Sequence, residues 1–118
     1  MRCKAAFRIY SARGDRDEVT ARLGLPASPS RSDEGPWLLS TEMRDTSELA
    51  DHLTQLLDQL DPLRDRIDAL AAEGCVMDWF CFVAAGDLEH AIELEPRLLG
   101  RLADYPARLL IDTYGPDD

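Results

Sequence analysis

The spacing of apolar residues changes several times along the chain, and each change predicts an element. From Lys4 to Ala12 (KAAFRIYSA) apolar and polar positions alternate, which predicts a strand with Phe7 and Ile9 on one face and Arg8 and Tyr10 on the other. Asp15 then stands where a helix N-cap belongs, with Glu18 three residues on, and Gly24 followed by Pro26 ends that short helix. Residues 25–36 (LPASPSRSDEGP) concentrate Pro, Ser and Gly and are expected to form an exposed, mobile loop before a second strand, Trp37 to Met43.

A helical period dominates the middle of the chain. Leu49, Leu53, Leu56, Leu57, Leu60, Leu63, Ile67, Leu70 and Ala71 form one stripe between Ser47 and Glu73, and Pro62 predicts a kink or break without loss of phase. Gly74 ends the helix. Val76 to Ala84 is then the most strand-like run, apolar on both faces, as suits the spine of a sheet. The Gly86-Asp87 turn suggests that His90 to Leu94 returns as a hairpin partner. Pro96 opens a last helix, and Ala107 to Tyr114 reads as the final strand.

This β-α-β-α-β-β-α-β order predicts an α+β fold in one domain spanning residues 1–118. The expected architecture is a ferredoxin-like βαββαβ unit with an extra N-terminal β-α unit, giving a five-stranded, largely antiparallel sheet with helices mainly on one face. A sheet covered on one side leaves the second apolar face of Val76–Ala84 in need of a covering loop or a partner chain.

The stretch GCVMDWFCFV, residues 74–83, invites a chemical reading because it holds Cys75 and Cys81 beside Trp79. Distance rules that reading out. Six residues along a strand span about 20 Å, whereas a disulfide needs Cα atoms within about 7 Å and zinc–sulfur bonds are about 2.3 Å long. The three cysteines, Cys3, Cys75 and Cys81, form no CxxC pair, and no metal or other cofactor is expected.

Composition narrows the function classes. At 118 residues, with 45% apolar and 31% charged residues, the chain is long enough to bury about two thirds of its unfolded surface in one core. The N-terminal MRCKAAFRIYSARGD lacks the apolar run of a signal peptide, and no stretch approaches the roughly 18 apolar residues of a membrane span. With the odd cysteine set, this predicts a cytoplasmic protein with no membrane contact.

The net charge of −10 is uneven: residues 1–44 carry eight basic and six acidic side chains, residues 45–118 five and seventeen. Such a surface repels nucleic acid and suits a basic protein partner. Asp51, Asp58, Asp61, Asp65 and Asp68 fall within about a 100° arc opposite the leucine stripe, making an acidic ridge with Arg64 placed to pair with Asp68.

Catalytic patterns are missing: there is no GxSxG, GxxxxGK[ST] or HExxH. His52 and His90 suit structural or surface positions, and Glu93, Glu95 and Asp112 are unremarkable in so acidic a chain. The leading expectation is a non-enzymatic interaction module, such as an immunity-type inhibitor of a basic toxin, using the ridge or the open sheet face near Trp79. A small-ligand or enzymatic domain with a pocket under loop 25–36, converging on Arg31 or Trp37, and a homodimer through the open sheet face are the alternatives.

The order of motifs also resembles a family. Asp15-Arg16-Asp17-Glu18-Val19-Thr20, Leu23-Gly24-Leu25-Pro26, Trp37-Leu38-Leu39-Ser40-Thr41, Leu60-Asp61-Pro62, Leu70-Ala71-Ala72-Glu73-Gly74, Ile92-Glu93-Leu94-Glu95-Pro96-Arg97-Leu98-Leu99 and Leu109-Leu110-Ile111-Asp112-Thr113-Tyr114 together resemble the bacterial domain of unknown function 4279. Glu95 departs from the pattern, since a capping serine is expected there. The resemblance implies a compact intracellular α/β domain, without catalytic residues.

Overall fold

The structure, a computed structural model, describes residues 1–30, 34–84, 86 and 91–115. Its elements are β1 (Arg2–Tyr10), α1 (Arg16–Leu23), β2 (Trp37–Ser40), α2 (Leu49–Leu60), a 3-10 turn (Asp61–Leu63), α3 (Arg64–Ala72), β3 (Val76–Ala84), α4 (Pro96–Ala103) and β4 (Ala107–Tyr114).

Local chemistry sets the boundaries. The Asp15 carboxylate accepts from the backbone N–H groups of Asp17 and Glu18 at 3.0 and 3.2 Å, and Gly24 ends α1 at a φ of 71°, which a side chain would disfavour. At Pro62 the long helix passes through the 3-10 turn, as its missing N–H requires, and resumes as α3. Glu95 makes no side-chain cap to α4.

The expected five-stranded, largely antiparallel sheet is corrected to one of four strands among the described residues, in the order β2-β1-β3-β4. β1 pairs antiparallel with β2 and β3, but β3 pairs parallel with β4. Residues 91–95 adopt no regular structure, so the hairpin return predicted from His90 to Leu94 does not form there; Asp87 and His90 lie outside the described residues. Ile92 and Leu94 give an alternation too short to compete before Pro96 opens α4. With α4 lying between them in sequence, β3 and β4 are joined by a crossover, and a crossover makes neighbours parallel. β4 thus takes the ladder position beside β3, and the ferredoxin-like order is lost.

The three helical segments (α1, the broken α2–α3 and α4) form one layer against one sheet face. Cys3, Ala5, Phe7 and Ile9 of β1, Trp37 and Leu39 of β2, and Met77, Trp79, Cys81 and Val83 of β3 point into that layer, where Leu53, Leu56, Leu57, Leu60 and Ile67 meet them. β3 is interior to the sheet, as its apolar pattern predicted. No helix among the described residues is long and apolar enough to cross a membrane.

Candidate functional site

Strand register builds the helix-free face in rows. Leu38, Arg8, Asp78 and Arg108 lie side by side across the four strands, and Ser40, Ala6, Phe80 and Leu110 form the next row. Arg8 donates from Nε to Asp78 Oδ1 and from Nη2 to Asp78 Oδ2, both at 2.7 Å, while Arg108 Nη2 stands 4.0 Å from the same carboxylate. The Arg8 guanidinium also lies 4.2 Å from the Phe80 ring centroid and 5.4 Å from that of Tyr10. Farther along, Phe82 stacks on Tyr114 with ring centroids 5.0 Å apart. Side chains lying flat on the sheet therefore cover part of the second apolar face of β3, while Val76 stays exposed and Phe80 and Phe82 are half-buried. Asp78 is 1% exposed although no helix crosses it.

Trp79 points the other way. It is 1% exposed, packed in the core against Phe7 and Tyr105 with centroids at 4.6 and 5.1 Å. What β3 offers to the open face is Asp78, Phe80 and Phe82.

All five ridge aspartates are exposed on the outer side of α2, the 3-10 turn and α3. They are not equivalent. Arg101 of α4 donates from Nη2 to Asp58 at 3.0 Å and Asp61 at 2.9 Å, and Tyr105 Oη donates to Asp61 at 2.5 Å. Burial by itself would raise the Asp61 pKa, but the bonds from Tyr105 and Arg101 outweigh it and hold the carboxyl below its ordinary value. Asp68 stands 4.0 Å from Arg64, whose guanidinium mainly caps the Asp104 carbonyl and lies 4.3 Å from the Tyr105 ring centroid. Asp51 and Asp65 make no ion pair among the described residues. The ridge thus has two carboxylates without an ion pair among the described residues, one (Asp68) paired within α3, and two (Asp58 and Asp61) that tie the broken helix to α4.

The groups that carry nucleophilic or acid–base chemistry elsewhere are placed differently here. All three cysteines are free; Cys3 and Cys81 are buried, opposite Val83 and Ala5, which makes them diagonal neighbours across the β1–β3 ladder. Burial pushes the Cys81 thiol up to about 12 and raises Cys3 as well, so neither supplies thiolate at neutral pH. His52 is fully buried on α2, its Nδ1 2.7 Å from Thr41 Oγ1. Burial lowers its pKa, with the Arg44 backbone carbonyl, Asp51 and Asp45 opposing the shift. Among the described residues no group of three or more His, Cys, Asp and Glu could hold a metal ion.

Beside loop 25–36 there are two depressions, one of about 380 Å3 lined by Gly14, Asp15, Arg16, Asp17, Glu34 and Gly35, and one of about 240 Å3 lined by Tyr10, Ser11, Gly14, Arg16, Gly35, Pro36 and Trp37. The first falls within the roughly 300–1,000 Å3 of typical ligand sites, and the second, over Trp37, is smaller. Trp37 is buried in the core beneath it, and Arg31 lies outside the described residues.

Sequence reasoning passed over Arg8, Arg101 and Tyr105. The single acidic residue inside the apolar run of β3 was the available signal for the first, since a buried Asp78 requires a cationic partner on a neighbouring strand.

Fold and surface together define a small α+β domain with one helical layer on a four-stranded mixed sheet. The chain belongs to the family described as domain of unknown function (DUF4279), whose family model matches residues 1–116. Neither a curated protein nor a solved structure matches the chain.

Proposed function

We propose that this protein is a non-enzymatic interaction module of the cytoplasm that holds a basic protein against the outer side of α2 and α3. The observation that carries the reading is the exposure of all five aspartates, Asp51, Asp58, Asp61, Asp65 and Asp68, with Asp51 and Asp65 making no ion pair among the described residues. In a chain of net charge −10 these carboxylates add to a field that steers and orients a cationic partner. A basic toxin held by an immunity-type inhibitor is one partner of that chemistry. Burial of Cys3, Cys81 and His52 supports the non-enzymatic part, because these three side chains do not reach the surface. Three free thiols support a reducing compartment.

The test uses the wild type as bait in a lysate of the native host, beside an Asp51→Asn/Asp65→Asn/Asp68→Asn variant. Arg101 keeps Asp58 and Asp61 in that variant, so folding is expected to survive. The reading requires a basic protein retained by the wild type, lost from the variant, and released as salt rises from about 0.05 to 0.5 M. Recovery of no basic protein, or of one indifferent to both changes, overturns it.

A further inference from the structure

The two edges of the sheet are treated differently. At the β2 edge the backbone N–H of Ser28 donates to the Leu38 carbonyl at 2.8 Å, and the Ser40 N–H donates to Ser28 Oγ at 2.9 Å, so the loop after α1 occupies that edge. At the β4 edge nothing among the described residues bonds to the outer side of residues 108–113. Natural sheets blunt such an edge with charge, proline or a short strand, whereas β4 is eight residues long and centred on Leu109, Leu110 and Ile111, each 36–41% exposed.

Its charges are arranged symmetrically about Leu110. Arg108 lies two residues before it and Asp112 two residues after, and all three face the helix-free side, opposite Asp78, Phe80 and Phe82 of β3. We infer that β4 pairs antiparallel with β4 of a second copy, with the two-fold axis at Leu110, to give a continuous eight-stranded sheet. In that register Leu110 meets Leu110 of the second copy, and Leu109 meets Ile111 on the helical side. Arg108 meets Asp112 at both ends. Directly opposed side chains on adjacent strands stand about 4.5–5.5 Å apart at Cβ, close enough for each apolar pair to pack and each charge pair to bond. The interface is isologous, so every contact except the Leu110 pair on the axis occurs twice. A slip by two residues in either direction takes Arg108 away from Asp112, so charge favours this register over its neighbours. The inference is independent of the acidic ridge, which lies on the helical layer.

Sedimentation velocity across about 10–500 µM, the range suited to a single strand pair, tests it. The wild type is expected to pass from monomer to dimer. Leu110→Lys and Leu110→Glu each place like charges on the axis, so each alone is expected to weaken the dimer at least tenfold. Their equimolar mixture is expected to dimerise, because only the mixed pair sets opposite charges face to face. Arg108→Asp and Asp112→Arg supply a second arm: each alone weakens association at least tenfold, and the double exchange returns it to within a few-fold of wild type. Circular dichroism confirms that the compared variants are folded, and either arm alone decides the matter. A wild type monomeric throughout, a dimer that survives the single changes, or a mixture and a double exchange that both stay monomeric overturns the proposal.

Discussion

Arg8 and Asp78 face each other across the β1–β3 ladder and meet in two 2.7 Å hydrogen bonds on the sheet face that no helix covers. The carboxylate is fully buried while the arginine keeps some contact with water. Removing the arginine leaves the buried carboxylate only the more distant Arg108, 4.0 Å away among the described residues, so Arg8→Ala is expected to lower stability by about 2–4 kcal/mol in urea titration. Replacing both partners with apolar residues of similar volume removes the charge along with its partner. Arg8→Met/Asp78→Leu is therefore expected to cost much less than Arg8→Ala, and a double variant as unstable as the single one would contradict this account.

Trp79 packs between Phe7 and Tyr105 on the covered face, so its loss should act on folding rather than on association. Trp79→Ala is expected to cost about 3–5 kcal/mol, the range for emptying a large aromatic site in a core. Urea titration measures the loss. A variant with wild-type stability would show that the indole does not hold the helical layer to the sheet.

Much of this fold follows from local pattern. The Asp15 cap, the Gly24 stop, the break at Pro62 and the interior position of β3 are each dictated by residues within a few positions of the feature. The sheet order is not local. Whether the chain after Ala84 returns as a hairpin or crosses over depends on which segment offers β3 the longer partner. Ala107–Tyr114 pairs over eight residues, from Met77↔Ala107 to Ala84↔Tyr114. Nothing near Gly86 encodes that comparison. The ridge was legible as a helical arc, but the tie from Arg101 to Asp58 and Asp61 was not, because α4 reaches α2 only through the tertiary packing. Alternation separated the two faces of β3, and register alone shows that Arg8 covers part of one of them.

Acid should destabilise the protein through Asp61 and Glu73. Both carboxyls are held below their ordinary values: Asp61 by the bonds from Tyr105 and Arg101 that outweigh its burial, Glu73 by its paired hydrogen bonds from Arg22. A carboxyl with a depressed native pKa contributes stability above its unfolded pKa, near 3.8 for Asp61 and 4.5 for Glu73, and loses it as pH falls through the native value. Urea midpoints are thus expected to drop below about pH 4.5. Asp61→Asn should flatten that limb, and an unchanged slope would remove Asp61 as a contributor.

A second acid limb should begin at higher pH, through His52. The imidazole is fully buried, and its Nδ1 sits 2.7 Å from Thr41 Oγ1, tying α2 to the chain just beyond β2. Burial is the largest influence and lowers its pKa; Lys4 works in the same direction, while the Arg44 carbonyl, Asp51 and Asp45 oppose it. In the unfolded chain the histidine takes a proton near pH 6.5, whereas in the native state it stays neutral to lower pH. The unfolded state therefore binds more protons across that interval, and stability falls as pH drops below 6.5 until the native value is reached. This loss precedes the carboxylate limb and is separable from it. His52→Leu keeps similar volume and cannot titrate, so its urea midpoint should stay level between about pH 6.5 and 5 while the wild type declines. Parallel curves for the two proteins across that range would show that His52 titrates alike in the folded and unfolded chains.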